Sequence, residues 1–102
     1  MSSETLHEDP ATLGPQVIDQ HRAIVSLMEE LEAVDWYNQR AEATKDEQLR
    51  NILLHNRDEE VEHAMMMLEY LRRINPVFNK HMRTYFFTKE DITKIEKVAE
   101  DK

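Results

Sequence analysis

The chain has 102 residues, 40% of them hydrophobic and 33% charged, which fits one folded domain or less. Its formal net charge of -8 argues against nucleic acid and against an anionic membrane surface, and favours cations near the protein. With no cysteine, disulfides and thiolate metal sites are excluded, and one glycine with three prolines leaves too few turn residues for an all-β fold.

In chain order, residues 1–15 are polar and hold Pro10, Gly14 and Pro15, so they are expected to be disordered. A helical domain then fills residues 16–102, with a first helix over about 16–43. In it Ala23, Leu27, Val34 and Ala41 fall on one face, beside Ile24, Met28 and Leu31. Ala43 to Asp46 reads as a short connection, and Asp46 can cap a second helix over about 46–75 that Pro76 stops. So short a link makes the two helices antiparallel neighbours. Pro76 to Phe87 is aromatic-rich and fits a short helix capped by Asn75, with Tyr85, Phe86 and Phe87 as a packing anchor. Thr88 and Asp91 resemble a capping box for a last helix over about 88–100, in which Ile92, Ile95 and Ala99 share a face. The expected fold is all-α: an antiparallel two-helix hairpin plus a short C-terminal helix. Two helices bury their apolar stripes poorly alone, so a dimer that builds a four-helix bundle is the simplest remedy. No apolar run is long enough to cross a membrane and no signal peptide opens the chain, so a cytoplasmic protein is expected.

Polar residues interrupt both apolar stripes at mid-helix. At about 100° per residue, Glu30 lies among Ala23, Leu27, Val34 and Ala41. Asn56, Glu59, Glu60 and His63 lie in the middle of the stripe formed by Leu49, Ile52, Leu53, Met67, Tyr70, Leu71 and Ile74. A carboxylate on such a stripe is costly unless it is paired or bound to metal. With 14 Glu and 5 His, a chance Glu-x-x-His is expected about 0.7 times, so the motif acquires meaning only from its phase and from Glu30 at matching depth. A ferritin-like di-iron centre takes one Glu from each of two helices and a Glu-x-x-His pair from each of two others. Glu30 with Glu60-x-x-His63 is half of that set, so a metal site and a homodimer are expected together. The alternative is a buried polar network that sets the register of the bundle.

Glu29 and Glu32 project away from the Glu30 face, with Trp36 a turn beyond. They fit an outer site that collects Fe(II), or calcium or another divalent cation; a solvated helix face is the alternative. Trp36 and Tyr37 either line the site or pack an interface. His21 and His55 lie off the main faces, and Met28 and Met66 suit interface gaps better than metal. Arg72 and Arg73 suit the C-terminal dipole of the second helix, and Glu69 to Arg73 adds an i,i+4 pair.

The block His21 to Tyr37 (HRAIVSLMEELEAVDWY) resembles the first helix of the encapsulated ferritins, as do HNRDEEVEHA from His55 to Ala64 and the Leu71-Arg72-Arg73 run. The resemblance extends from about His21 to about Ile95. It implies a ferroxidase whose subunit is half a ferritin, oxidising Fe(II) with O2 at a di-iron centre between two subunits. It further implies five dimers closed into a ring-shaped homodecamer, acting inside an encapsulin nanocompartment and supplying it with iron for storage. The ligands so implied are Glu30, Glu60 and His63. The implied outer acids are Glu29 and Glu32 with Trp36 beside them, and Tyr37 is the tyrosine near the centre. Family members commonly continue into a tail with a Gly-Ser-Leu-like shell-docking element; this sequence ends at Asp101-Lys102 without one. Carboxylate and imidazole suit iron but also accept zinc, manganese or cobalt. Competing readings are a rubrerythrin- or hemerythrin-like di-iron protein, although hemerythrins need more core histidines, and a non-catalytic helical dimeric adaptor.

Overall fold

A computed structural model describes residues 5–100; residues 1–4 and 101–102, which include part of the segment expected to lack order, lie outside it. The described residues form α1 (Pro15–Ala43), α2 (Glu47–Ile74), α3 (Pro76–Tyr85) and α4 (Ile92–Glu100), preceded by a 3-10 turn at Pro10–Thr12, with no strand among them. The fold is all-α, as the composition implies.

The ends of each helix follow from local chemistry. Pro15 and Pro76 occupy first turns, where a missing N–H costs nothing and the fixed φ suits the helix. The Asp46 carboxylate accepts the Leu49 N–H at 3.1 Å and so caps α2. The guanidinium of Arg50 reaches back from α2 to donate to the Ala41 carbonyl at 3.0 Å and to the Thr44 carbonyl. A cation thereby sits on the negative end of α1 and closes the connection from the far side. At the opposite end, the Asn75 side chain accepts the Val77 and Phe78 N–H groups at 2.9 and 3.3 Å, and its amide donates to Gln20 of α1 at 2.9 Å. The hairpin is therefore pinned at both ends.

The ambiguous aromatic segment is the helix α3, packed on α2 and followed by α4 packed on α3. The start of α4 differs from the capping-box reading. Asp91, not Thr88, accepts the Thr93 and Lys94 N–H groups, at 2.9 and 3.4 Å. The Thr88 hydroxyl instead donates to the Tyr85 carbonyl at 2.6 Å, which commits it to the end of α3. Between them the backbone reverses through Phe87, whose φ is 64°. Phe87 is 101% exposed and its ring meets that of Phe86 edge-on, at a centroid distance of 6.5 Å, so within one chain it is not a buried packing anchor.

Four small or aliphatic residues are fully enclosed: Ala23 and Ala41 of α1, Ala64 and Leu71 of α2. The three alanines are enclosed between the two helices, where a small side chain permits close packing. The rest of the stripes stays half covered, and Leu31, Ile52, Val61, Tyr70 and Ile74 are exposed. The Cα radius of gyration is 17.6 Å, against about 13 Å for a compact domain of this length. The single chain is thus an open slab, 24 Å in its thinnest dimension, with broad apolar faces uncovered.

Candidate metal centre

Glu30 stands mid-way along α1, and Glu60 and His63 stand mid-way along α2. Pairing of the two helices brings one ligand atom from each within 4.8 Å of the others. Among the described residues this is the one group of three potential metal-ligating His, Asp and Glu side chains so close together. His63 Nδ1 lies 3.6 Å from Glu30 Oε2 and 3.9 Å from Glu60 Oε2. The placement follows from helical phase. Ala64 is locked into the α1–α2 contact, so His63 emerges beside it on the open face, and Glu60 lies one turn earlier. The Glu30 and Glu60 side chains are 26% and 25% accessible and His63 is 46% accessible. The trio is therefore a half-covered patch on the slab and not an enclosed core network.

The Glu60 carboxyl is raised above its ordinary 4.5, first by a hydrogen bond with the Glu30 carboxyl, then by burial and by the Glu30 charge. The His63 side chain offsets part of this shift. Two carboxylates that face each other need a shared proton or a cation between them. The donor set, two hard oxygens and one imidazole, fits a first-row divalent ion such as Fe(II). A cation there relieves the repulsion that raises Glu60.

The other site residues expected from sequence are not drawn into this group. Glu29 and Glu32 are exposed on α1, and among the described residues no third acid or histidine joins them. Trp36 is 51% exposed. Tyr37 is half-buried two turns beyond Glu30. The structure adds Arg40, whose guanidinium stands 5.9 Å from the Trp36 ring centroid and 5.7 Å from that of Tyr37. It also adds contacts for His55, which lies 3.4 Å from Glu59, while Glu59 lies 3.9 Å from His63. The signal for both was spacing: Arg40 is four and three residues from the rings, and His55, Glu59 and His63 repeat every fourth position.

A second acidic centre, between α2 and α3, has a different character. Glu69 accepts from Arg72 at 2.7 Å and from Arg73 at 2.8 Å, and Arg72 also donates to Asn79 of α3 at 2.9 Å. The two guanidinium groups hold the Glu69 carboxyl down at about 2. The network borders a cleft of about 490 Å³ walled by Met65, Leu68, Met82, Phe86 and Phe87. Its one carboxylate is outnumbered by two guanidinium groups, so the network ties α3 to α2 and offers nothing to a cation. Among the described residues no helix is long and apolar enough to cross a membrane.

Comparison with known proteins agrees with this geometry. Residues 5–89 match the family described as EncFtn-like. The chain is 56% identical over 95 residues to an encapsulated ferritin-like protein of Rhodospirillum rubrum, covering 93% of this chain and 68% of that one. It is 52% identical over 94 residues to a ferritin-like protein of Thermotoga maritima, covering 92% and 82%. A crystal structure of a protein from Nitrosomonas europaea superposes with a TM-score of 0.83 at 54% identity, covering 85% of this chain and 96% of that one. A two-helix hairpin carrying a Glu/Glu/His group, matched across nearly its whole length to these proteins, belongs to the encapsulated ferritin-like family.

Proposed function

We propose that the protein is a ferroxidase that oxidises Fe(II) to Fe(III) with O2 at a di-iron site completed by a second copy of the chain. The observation that carries this reading is the convergence of Glu30, Glu60 and His63 within 4.8 Å on an uncovered face. One chain supplies too few donors for a pair of iron ions. Two copies related by a two-fold axis supply four carboxylates and two imidazoles, the ferritin-like set. The same pairing covers the apolar stripes around the trio and removes water from it.

Fe(II) is the substrate. The Glu30 and Glu60 carboxylates hold the two ions close enough for both to pass electrons to one O2. Their negative charge favours the ferric product, which carries one more positive charge per ion. The His63 imidazoles complete the set. Glu29 and Glu32, with Trp36 alongside, serve as an outer site that concentrates Fe(II), and that also accepts calcium or another divalent cation. The overall charge of -8 supports such collection. Tyr37, two turns along α1 from Glu30, is the tyrosine assigned to the neighbourhood of the oxidation site by family resemblance. The name of the Rhodospirillum rubrum relative, an encapsulated protein, supports an encapsulin shell as partner and its nanocompartment as the location where iron is stored. A ring-shaped decamer of five dimers is the assembly proposed.

The deciding experiment is anaerobic Fe(II) titration followed by native mass spectrometry. Saturation near one iron per chain, only in species with an even number of chains, is the expected result. Two irons on a monomer would mean a self-contained site with other ligands. Absence of specific binding would leave a non-catalytic dimeric adaptor.

A further inference from the structure

We infer that Glu59 is a positioning residue that fixes the His63 imidazole with Nδ1 directed at the metal, an inference that rests on the di-iron reading of Glu30, Glu60 and His63. The two nitrogens of His63 face different carboxylates. Nδ1 faces the trio, 3.6 Å from Glu30 Oε2 and 3.9 Å from Glu60 Oε2. Nε2 faces the other way, 3.9 Å from Glu59 Oε2. The second oxygen of Glu59 lies 3.4 Å from Nε2 of His55, so Glu59 is held between two imidazoles one helical turn apart on either side.

A neutral imidazole binds a cation through the nitrogen that carries no proton. For Nδ1 to coordinate, the ring proton must sit on Nε2. A carboxylate beside Nε2 favours that tautomer and opposes a ring flip. At 3.9 Å the Glu59 contact is electrostatic, longer than a hydrogen bond. It shortens when a cation draws the ring into place, since contacts of this kind tighten when the site is loaded. His55 keeps the Glu59 carboxylate in position from its far side. Glu59 meets the Nε2 side of the ring and Glu60 the Nδ1 side, so the tasks of these neighbours differ.

The test uses full-length protein labelled with ¹⁵N-histidine, titrated with Zn(II), which is diamagnetic and does not oxidise. His63→Ala assigns the His63 signals and serves as the control for the site itself. In the wild type, Nδ1 of His63 is expected to carry the metal and Nε2 the proton. Glu59→Ala should weaken Zn(II) binding roughly 10–100-fold without lowering the thermal midpoint. Glu59→Gln, whose amide oxygen still accepts from Nε2, should recover most of that loss. His55→Ala should weaken binding by a smaller factor than Glu59→Ala. Zn(II) bound as in the wild type by Glu59→Ala, or His63 metallated through Nε2, would overturn the inference while leaving the metal site intact. A lower zinc stoichiometry in Glu59→Gln would also overturn it, by making Glu59 a ligand. Unchanged Zn(II) binding by His63→Ala would remove the metal-site reading and this inference with it.

Discussion

Glu60 and Glu69 lie on the same helix and meet opposite fates. Glu69 is clamped by Arg72 and Arg73 from its own chain, and its carboxyl falls to about 2. Glu60 faces another carboxylate, Glu30, and its carboxyl rises. The first centre is complete within one chain and ties α3 to α2 through Asn79. The second is incomplete, because the chain supplies negative charge and a lone pair but no matching cation. The difference separates an acidic residue that organises structure from one whose group could hold a metal ion. Counting carboxylates does not make that distinction; asking what faces each one does.

Five substitutions break or sharpen this contrast. The largest effect belongs to the incomplete centre. Glu30→Ala and His63→Ala should each lower the Fe(II) oxidation rate by more than the roughly 10–100-fold that losing an outer-shell partner costs. Both should keep the wild-type helical signal in circular dichroism, since the enclosed part of the α1–α2 contact is made by Ala23, Ala41, Ala64 and Leu71. A native oxidation rate in either variant would remove that residue from the site.

Next comes Leu71→Ala, at the most enclosed large side chain of the hairpin. It should cost about 2–5 kcal/mol in denaturant unfolding. Folded protein that remains should still bind metal, because Leu71 lies two turns from His63. A cost below about 1 kcal/mol would mean that the α1–α2 contact is not where stability resides.

Asn75→Ala removes the cap of α3 and the bond to Gln20. A loss of about 1 kcal/mol is expected, the usual value for a cap, with iron oxidation unchanged. If oxidation fell instead, the far end of the hairpin would be coupled to the metal face.

The smallest effect is at the complete centre and is seen through pH. The folded Glu69 carboxyl is depressed from 4.5 to about 2. Its contribution to stability is therefore present above pH 4.5 and is lost as pH falls toward 2. Solvent screening keeps that contribution small, as Glu69 and Arg73 are well exposed. Glu69→Gln should flatten this part of the acid profile in thermal melts and leave the neutral-pH oxidation rate unaltered. An acid profile identical to the wild type would show that the arginines hold Glu69 without stabilising the fold.

Much of this molecule was legible in its residues. The 3.6-residue repeat gave two long helices, Asp46 and Asn75 marked their caps, and the short link made them antiparallel. The phase of Glu30, Glu60 and His63 placed all three on facing stripes at one depth, because helical geometry converts spacing directly into direction. Charge and composition excluded thiolate metal sites and disfavoured nucleic-acid partners. What the sequence left open depends on contacts between distant segments. The route from Tyr85 to Ile92 turned on whether Thr88 bonds forward to α4 or back to α3, and the reversal at Phe87 sent it back. Whether Glu69 or Glu60 carries a mismatched charge turned on which side chains each one meets, and only the packing of α1 against α2 brings Glu30 to Glu60. The division of His63 between Glu30 on one nitrogen and Glu59 on the other was likewise decided by tertiary structure. Sequence spacing sets the face on which a side chain emerges, whereas its rotamer and its partners are set by what the neighbouring helix places there.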